Sequence, residues 1–218
     1  MRRSSATPLA MGGGVGALLL LVALAAPPDP KALVEQLQTG SVAERRQAAA
    51  LLAQVGDAAA TGPLARALRD ADPEVREDAQ IALWAIWLRS GNPEIDALLR
   101  EGMTHMEVGR YPDAVAIFSE VIRRTPEFAE GWNKRATVYY LMGEYDRSLA
   151  DCEEVVRRNP IHFGALSGFG LNYLHKRDLE RAAEYFERAL TVNPNLDQIE
   201  VLLEQIREVL AARRRQSI

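Results

Sequence analysis

The sequence predicts an all-α fold: a right-handed superhelix, a repeat solenoid of antiparallel helix pairs. Three observations predict it. The segments Gly109-Arg110-Tyr111, Gly143-Glu144-Tyr145 and Arg177-Asp178-Leu179 stand 34 residues apart, as do Pro126, Pro160 and Pro194. A fixed period of that length marks stacked helix–turn–helix units, none of which can bury its apolar face alone. A second period, of 31 residues, runs earlier: Arg45, Ala48, Leu52 and Val55 match Arg76, Ala79, Leu83 and Ile86. Within those units the apolar residues fall at i, i+4 and i+7, one face of a helix.

Composition narrows the classes. A chain of 218 residues holds one or two domains, and 48% hydrophobic residues is ordinary for a globular protein. The net charge of −4, with a pI near 5.5, argues against a nucleic-acid partner. Cys152 is the single cysteine, so no intramolecular disulfide can form, and no CxxC pair offers a zinc site.

The first 25 residues read as a signal peptide. Arg2 and Arg3 precede an apolar stretch centred on Leu18–Val22, and Ala23-Leu24-Ala25 is an A-x-A-like cleavage end before Pro27-Pro28-Asp29-Pro30. The apolar run is shorter than the ~20 residues a spanning helix needs. The expectation is export to a bacterial periplasm. The alternative is an uncleaved N-terminal membrane anchor, which would then be the chain's membrane contact.

Residues 30–90 hold the 31-residue units, each a short helix, a turn and a longer helix. Leu33 and Leu37 match Leu64 and Leu68. Ser41 with Glu44 makes a capping box, and Asp72-Pro73-Glu74 opens another helix. This region resembles two HEAT-like repeats of the type named after phycobiliprotein lyases; the name carries no lyase chemistry here. Two such units are too few to stand alone, so they are expected to stack on the helices C-terminal to them. Trp84 and Trp87 lie in the apolar run from Ile81 to Leu88. They are expected to fill the junction between the two repeat types. The other reading makes them an exposed anchor for self-association.

Residues 95–196 resemble three tetratricopeptide repeats, 95–128, 129–162 and 163–196. The resemblance assigns Leu98, Trp132 and Leu166 as large apolar residues early in each first helix, and Gly102, Ala136 and Gly170 as the small residues where helices cross. Phe118, Cys152 and Phe186 belong to the second helices, and Pro126, Pro160 and Pro194 close the units. His105 replaces the aromatic found at Tyr139 and Tyr173. Arg135 and Glu101 stand where the family has an apolar residue, and Arg177 where glycine suits the left-handed helix end. Residues 197–215 form a capping helix with an apolar stripe through Ile199, Leu203 and Ile206.

No catalytic constellation appears. His105, His162 and His175 are not spaced as ligands on one helix, and the acids around Cys152 discourage a thiolate. The chain is read as a non-enzyme with no cofactor and no metal. The resemblance implies a binding groove lined by the first helices, for a peptide or helical segment of another protein. Its first unit contributes Leu99, Arg100, Met103 and Met106. The second contributes Asn133, Lys134, Thr137, Tyr140 and Leu141. The third contributes Ser167, Leu171, Leu174 and His175. Family members that grip a C-terminal carboxylate use a clamp of Lys, Arg and Asn. Here only Asn133 fits it, against Leu99, Met103, Gly164 and Gly168, so a heat-shock-protein partner is not expected.

Overall fold

In a computed structural model the chain is described over residues 28–216, which form eleven α-helices and no strand. The signal-peptide reading lies outside the described residues. The HEAT-like region opens with α1 (Pro30–Thr39) and α2 (Val42–Val55). Asp29 caps α1 by accepting the Lys31 N–H, and the Ser41–Glu44 box caps α2. A 3-10 turn at Ala58–Ala60 leads into α3 (Thr61–Ala67), and Asp72 caps α4 (Pro73–Trp87) by accepting the Glu74 and Val75 N–H groups. Ala48, Ala49, Ala79 and Ala82 are fully buried, so α2 and α4 approach closely and their leucines fill the space beside them. Arg45 forms a two-pronged ion pair with Asp70, at 2.7 and 2.8 Å.

The next three helix pairs are α5 (Pro93–Glu107) with α6 (Tyr111–Arg124), α7 (Ala129–Leu141) with α8 (Tyr145–Arg158), and α9 (Phe163–His175) with α10 (Leu179–Val192). The last helix, α11 (Asp197–Gln216), packs Ile199, Leu203 and Ile206 onto the third pair. Each first helix ends in the left-handed region, at Gly109 (φ 75°), Gly143 (φ 76°) and Arg177 (φ 61°). Arg177 adopts the strained geometry that its side chain disfavours.

The crossings show how size is traded within one register. A Cβ at Gly102 would overlap the Phe118 ring, and one at Gly170 the Phe186 ring. The middle pair carries Ala136 and Cys152 at those places, a methyl where the others have none and a thiol where they have a ring.

Arg135 does not leave a packing defect. Its guanidinium pairs with Asp151 at 2.7 and 2.8 Å, reaches Ser119 Oγ at 3.0 Å, and faces the rings of Trp132 and Tyr139. Trp132 departs from the expected core role. It is half-buried, held between Arg135 and Arg158, and its Nε1 donates to the Pro126 carbonyl. With two cations to cover its ring, the indole needs no apolar neighbour on those faces.

The HEAT-like repeats do not simply stack on the next unit. Leu88 does touch the core of the first pair. The wider contact is with the third pair, where Phe163, Ile161, Val192 and Leu196 join the core of the HEAT-like region. Helix α4 therefore lies across the first helices of the later repeats.

Candidate partner-binding groove

Helices α5, α7 and α9 repeat the same faces at 34-residue intervals. Arg100, Lys134 and Gly168 share one register position; Met103, Thr137 and Leu171 share the next one down. The structure places some of the predicted groove residues on an accessible surface and withdraws others. Arg100, Thr137, Leu141 and His175 are exposed, with Leu141 at 47%. Tyr140, Ser167, Leu171 and Leu174 are half-buried, as are Met103 and Met106, which lean on the core of the first pair.

Two assignments are corrected. Leu99 is a core residue, 2% exposed against Ile95 and Phe118, because the α5 face turns it inward. Asn133 is buried, and its Nδ2 donates to Glu130 Oε1 at 3.0 Å. It spends one of its two amide N–H groups on a carboxylate and stands in the wall of the groove, not on its open surface.

At the lower end of the groove, His175 joins two tyrosines. Its Nε2 lies 2.9 Å from the Tyr140 hydroxyl and its Nδ1 3.1 Å from that of Tyr145, with the Tyr145 ring stacked on the imidazole. A neutral imidazole donates from one nitrogen and accepts at the other, so the three groups lock each other's orientation. Burial pushes the Tyr140 hydroxyl pKa upward, and the neighbouring Tyr145 adds to this. Tyr145 was missed from sequence, where it reads as part of the inter-helix break.

The upper end is filled from within the chain. The Trp87 ring stacks on His162 at 4.5 Å and packs on Phe163 at 5.1 Å. Trp84 meets both rings edge-on and lies over Gly164, where a Cβ would overlap it. Lys134 stands over the Trp84 ring at 5.9 Å. The two tryptophans thus fill a junction, as expected, but with the third repeat unit. Their rings face inward, with Trp87 9% exposed, which corrects the reading of them as an exposed anchor.

Beneath those rings is a buried charge cluster. His162, expected in a loop, is the fully buried N-cap of α9. Its Nδ1 accepts the Ala165 N–H at 3.1 Å, so the proton of the neutral ring sits on Nε2 and is donated to Glu130 Oε2 at 3.0 Å. Glu130 also receives Asn133 and Lys134, both at 3.0 Å. A buried carboxylate is tolerable only when paired in this way. Burial pushes its pKa up, but His162, Lys134 and Asn133 outweigh that and hold it below the usual carboxylate range.

A polar clamp completes the contact. Arg69 donates to the carbonyls of Thr191 and Val192, and Arg76 Nε donates to Asn195 Oδ1 at 2.9 Å. In return Asn195 Nδ2 donates to the Leu68 carbonyl at 2.8 Å, and Asn193 Nδ2 to Gln80 Oε1. The 31-residue period is informative here: Arg45 pairs with Asp70 of the next unit, while its counterpart Arg76 reaches Asn195, beyond the third helix pair.

Between these two ends, α7 and α9 enclose a pocket of about 240 Å³. Thr137, Tyr140, Leu141, Gly168 and Leu171 line it, with Cys152 and Asn172 among the residues behind. A larger cleft of about 610 Å³ opens between the Gly56–Ala58 turn and the α6–α7 connection. The arginines on its wall, Arg89 and Arg158, are committed to backbone carbonyls, so it is a crevice between the two arrays. Cys152 is buried, and burial first, then Asp151, pushes its thiol pKa up to about 12, which leaves no nucleophile there.

Comparison with known proteins finds both repeat types, with overlapping extents. The family model described as HEAT repeats matches residues 30–125, and the tetratricopeptide repeat model matches 99–160 and 134–197. The helix pair α5–α6 fits both. A TPR repeat-containing protein of Rhizobium etli is 31% identical over 142 residues, 63% of this chain and 70% of that protein. The Hsp70-Hsp90 organizing protein of Triticum aestivum is 30% identical over 101 residues, 44% of this chain but only 17% of that one. Among solved structures, the first TPR of Spaghetti (RPAP3) bound to the HSP90 peptide SRMEEVD superposes with a TM-score of 0.52 at 24% identity. That match covers 54% of this chain and 93% of the other.

Proposed function

Because this chain belongs to the tetratricopeptide repeat family, with HEAT-like repeats ahead of its TPR units, we propose that it is a non-enzymatic adaptor that binds a segment of another protein. One observation carries the reading. The lower groove keeps a contiguous accessible strip, Thr137, Tyr140, Leu141, Leu171 and His175, carried on helices whose opposite faces are buried in the core. A strip of aromatic, aliphatic and polar side chains on rigid helices is what a hot spot needs.

The partner segment differs in kind from the peptide in the RPAP3 complex. Trp84 covers Gly164, and Leu99 lies in the core, so a carboxylate clamp spread over three units has no room here. We place the adaptor in a bacterial periplasm on the strength of the N-terminal sequence.

The test is affinity capture with the full chain as bait, read by mass spectrometry. The control is Thr137→Arg with Leu171→Arg, two charges on the accessible strip. A partner held by the wild type and lost by the variant, at unchanged melting temperature, is the expected result. An identical set of captured proteins would sink the groove reading.

A further inference from the structure

The chain itself shows what its groove accommodates. Gly164 and Gly168 lie one helical turn apart on the same face of α9. The first is covered by an indole: the Trp84 ring occupies the volume a Cβ at Gly164 would need. Over the second, a Cβ would meet only Cys152 Sγ, at an ordinary 3.4 Å, and the space above belongs to the pocket of about 240 Å³. That exceeds the ~150 Å³ that suffices to hold a benzene ring.

The chemistry of the pocket is also specific. Its walls are chiefly Ala136, Leu141, Leu171 and the Tyr140 ring, and Gly164, which Trp84 covers, stands at its edge. Asn172, fully buried, is among its lining residues. The Nδ2 of Asn172 donates to Ser148 Oγ at 2.9 Å and to the Gly168 carbonyl at 2.8 Å, while its Oδ1 has no partner among the described residues. A buried acceptor without a donor is costly. That oxygen is covered as the side chain stands, so pairing it requires the Asn172 amide to turn toward the pocket; a flat apolar group with a single N–H would cover the walls and draw that turn, and the indole ring is such a group, a donor only.

We propose that the pocket over Gly168 seats the indole of a tryptophan carried by the partner segment, next to the Trp84 ring already seated over Gly164. The proposal rests on the groove reading above and names the side chain that would anchor there. It puts the seat between the repeat helices α7 and α9, with Gly164, the residue that Trp84 of α4 covers, at its upper end.

The probe is N-acetyl-tryptophanamide, titrated into the full chain and followed by amide chemical shifts. The expected shifts cluster at Thr137, Gly168 and Leu171. Methylating the indole nitrogen should weaken binding about tenfold, the equivalent of one net hydrogen bond, and N-acetyl-leucinamide should bind more weakly still. Gly168→Leu fills the pocket and should abolish the shifts; Gly168→Ala, whose Cβ meets only an ordinary contact, should reduce them in a chain that folds as the wild type does.

Shifts gathered elsewhere, equal binding of the leucine amide, or full binding by a folded Gly168→Leu chain would overturn the seat. The two readings fail separately. Capture lost in the Thr137/Leu171 variant, with the tryptophan amide leaving the spectrum unmoved, overturns the indole seat and spares the groove. A moved spectrum with unchanged capture upholds the seat and overturns the adaptor.

Discussion

The contact between Trp84 and Gly164 makes a sign-reversing prediction. In an isolated α9, Gly164→Ala would be favourable, by up to ~1 kcal/mol, because alanine restricts the unfolded chain and suits a helix. In the folded chain the new methyl overlaps the Trp84 ring. Overpacking of this sort costs about 1–3 kcal/mol, since the ring must shift against His162 and Phe163 on its other sides. The net effect of Gly164→Ala in the wild type is then destabilising, by roughly 0–2 kcal/mol. Trp84→Ala alone should cost about 2–4 kcal/mol, somewhat under a fully buried tryptophan because Trp84 is half-buried. Introduced into Trp84→Ala, however, Gly164→Ala should stabilise. The coupling across the cycle is the overpacking cost itself, about 1–3 kcal/mol. Urea unfolding of the four chains at one pH measures it. A stabilising Gly164→Ala in the wild-type background, or additivity within ~0.5 kcal/mol, would refute the seating of α4 on α9.

Other predictions rest on single groups. Glu130 titrates lower in the folded chain than in the unfolded one. The stability it supplies is therefore fully present above about pH 4.3, the ordinary glutamate value, and lost as the pH falls through its folded value; Glu130→Gln should flatten that acid limb in urea titrations between pH 3 and 7, and an unchanged limb would contradict the assignment. Cys152 should resist a thiol reagent at pH 8 in the native chain and react fully once unfolded, given its burial and a pKa of about 12; rapid native labelling would show the second repeat unit to be open. The secreted chain should begin at Ala26, and Ala23→Arg with Ala25→Arg should block that cleavage; N-terminal sequencing that finds Met1 in place would reject export by this route.

The repeat architecture was legible because both periods are carried by residues whose roles are local. Pro126, Gly109 and Gly143 punctuate helices wherever the helices go, and Ser41 and Asp72 cap the helices they precede. Even Arg177 announced its strain by standing in a glycine register. The groove was legible only in part. Register identified the faces of α5, α7 and α9, but Leu99 and Asn133 share one register position and both turned out to be buried. What no period could show was where α4 would come to rest. His162 and Glu130 looked ordinary 32 residues apart, and their pairing depends on a tryptophan pair from a different repeat type closing over them. Long-range polar contacts such as Arg76–Asn195 leave no periodic trace at all.

The bridge from Arg69, Arg76 and Gln80 to residues 191–195 has a kinetic meaning. A solenoid ordinarily behaves as a one-dimensional chain of neighbours, so it can nucleate in any unit and fray from either end. Here contacts separated by about 113–127 residues tie the first repeats to the last connection. Closing so long a loop must be met before those contacts contribute, which slows folding relative to an open stack of the same helices. Once closed, however, the third helix pair and the HEAT-like repeats share one core through Phe163. Neither end can then peel away alone, and unfolding should proceed as one cooperative event where a linear array would unravel in steps.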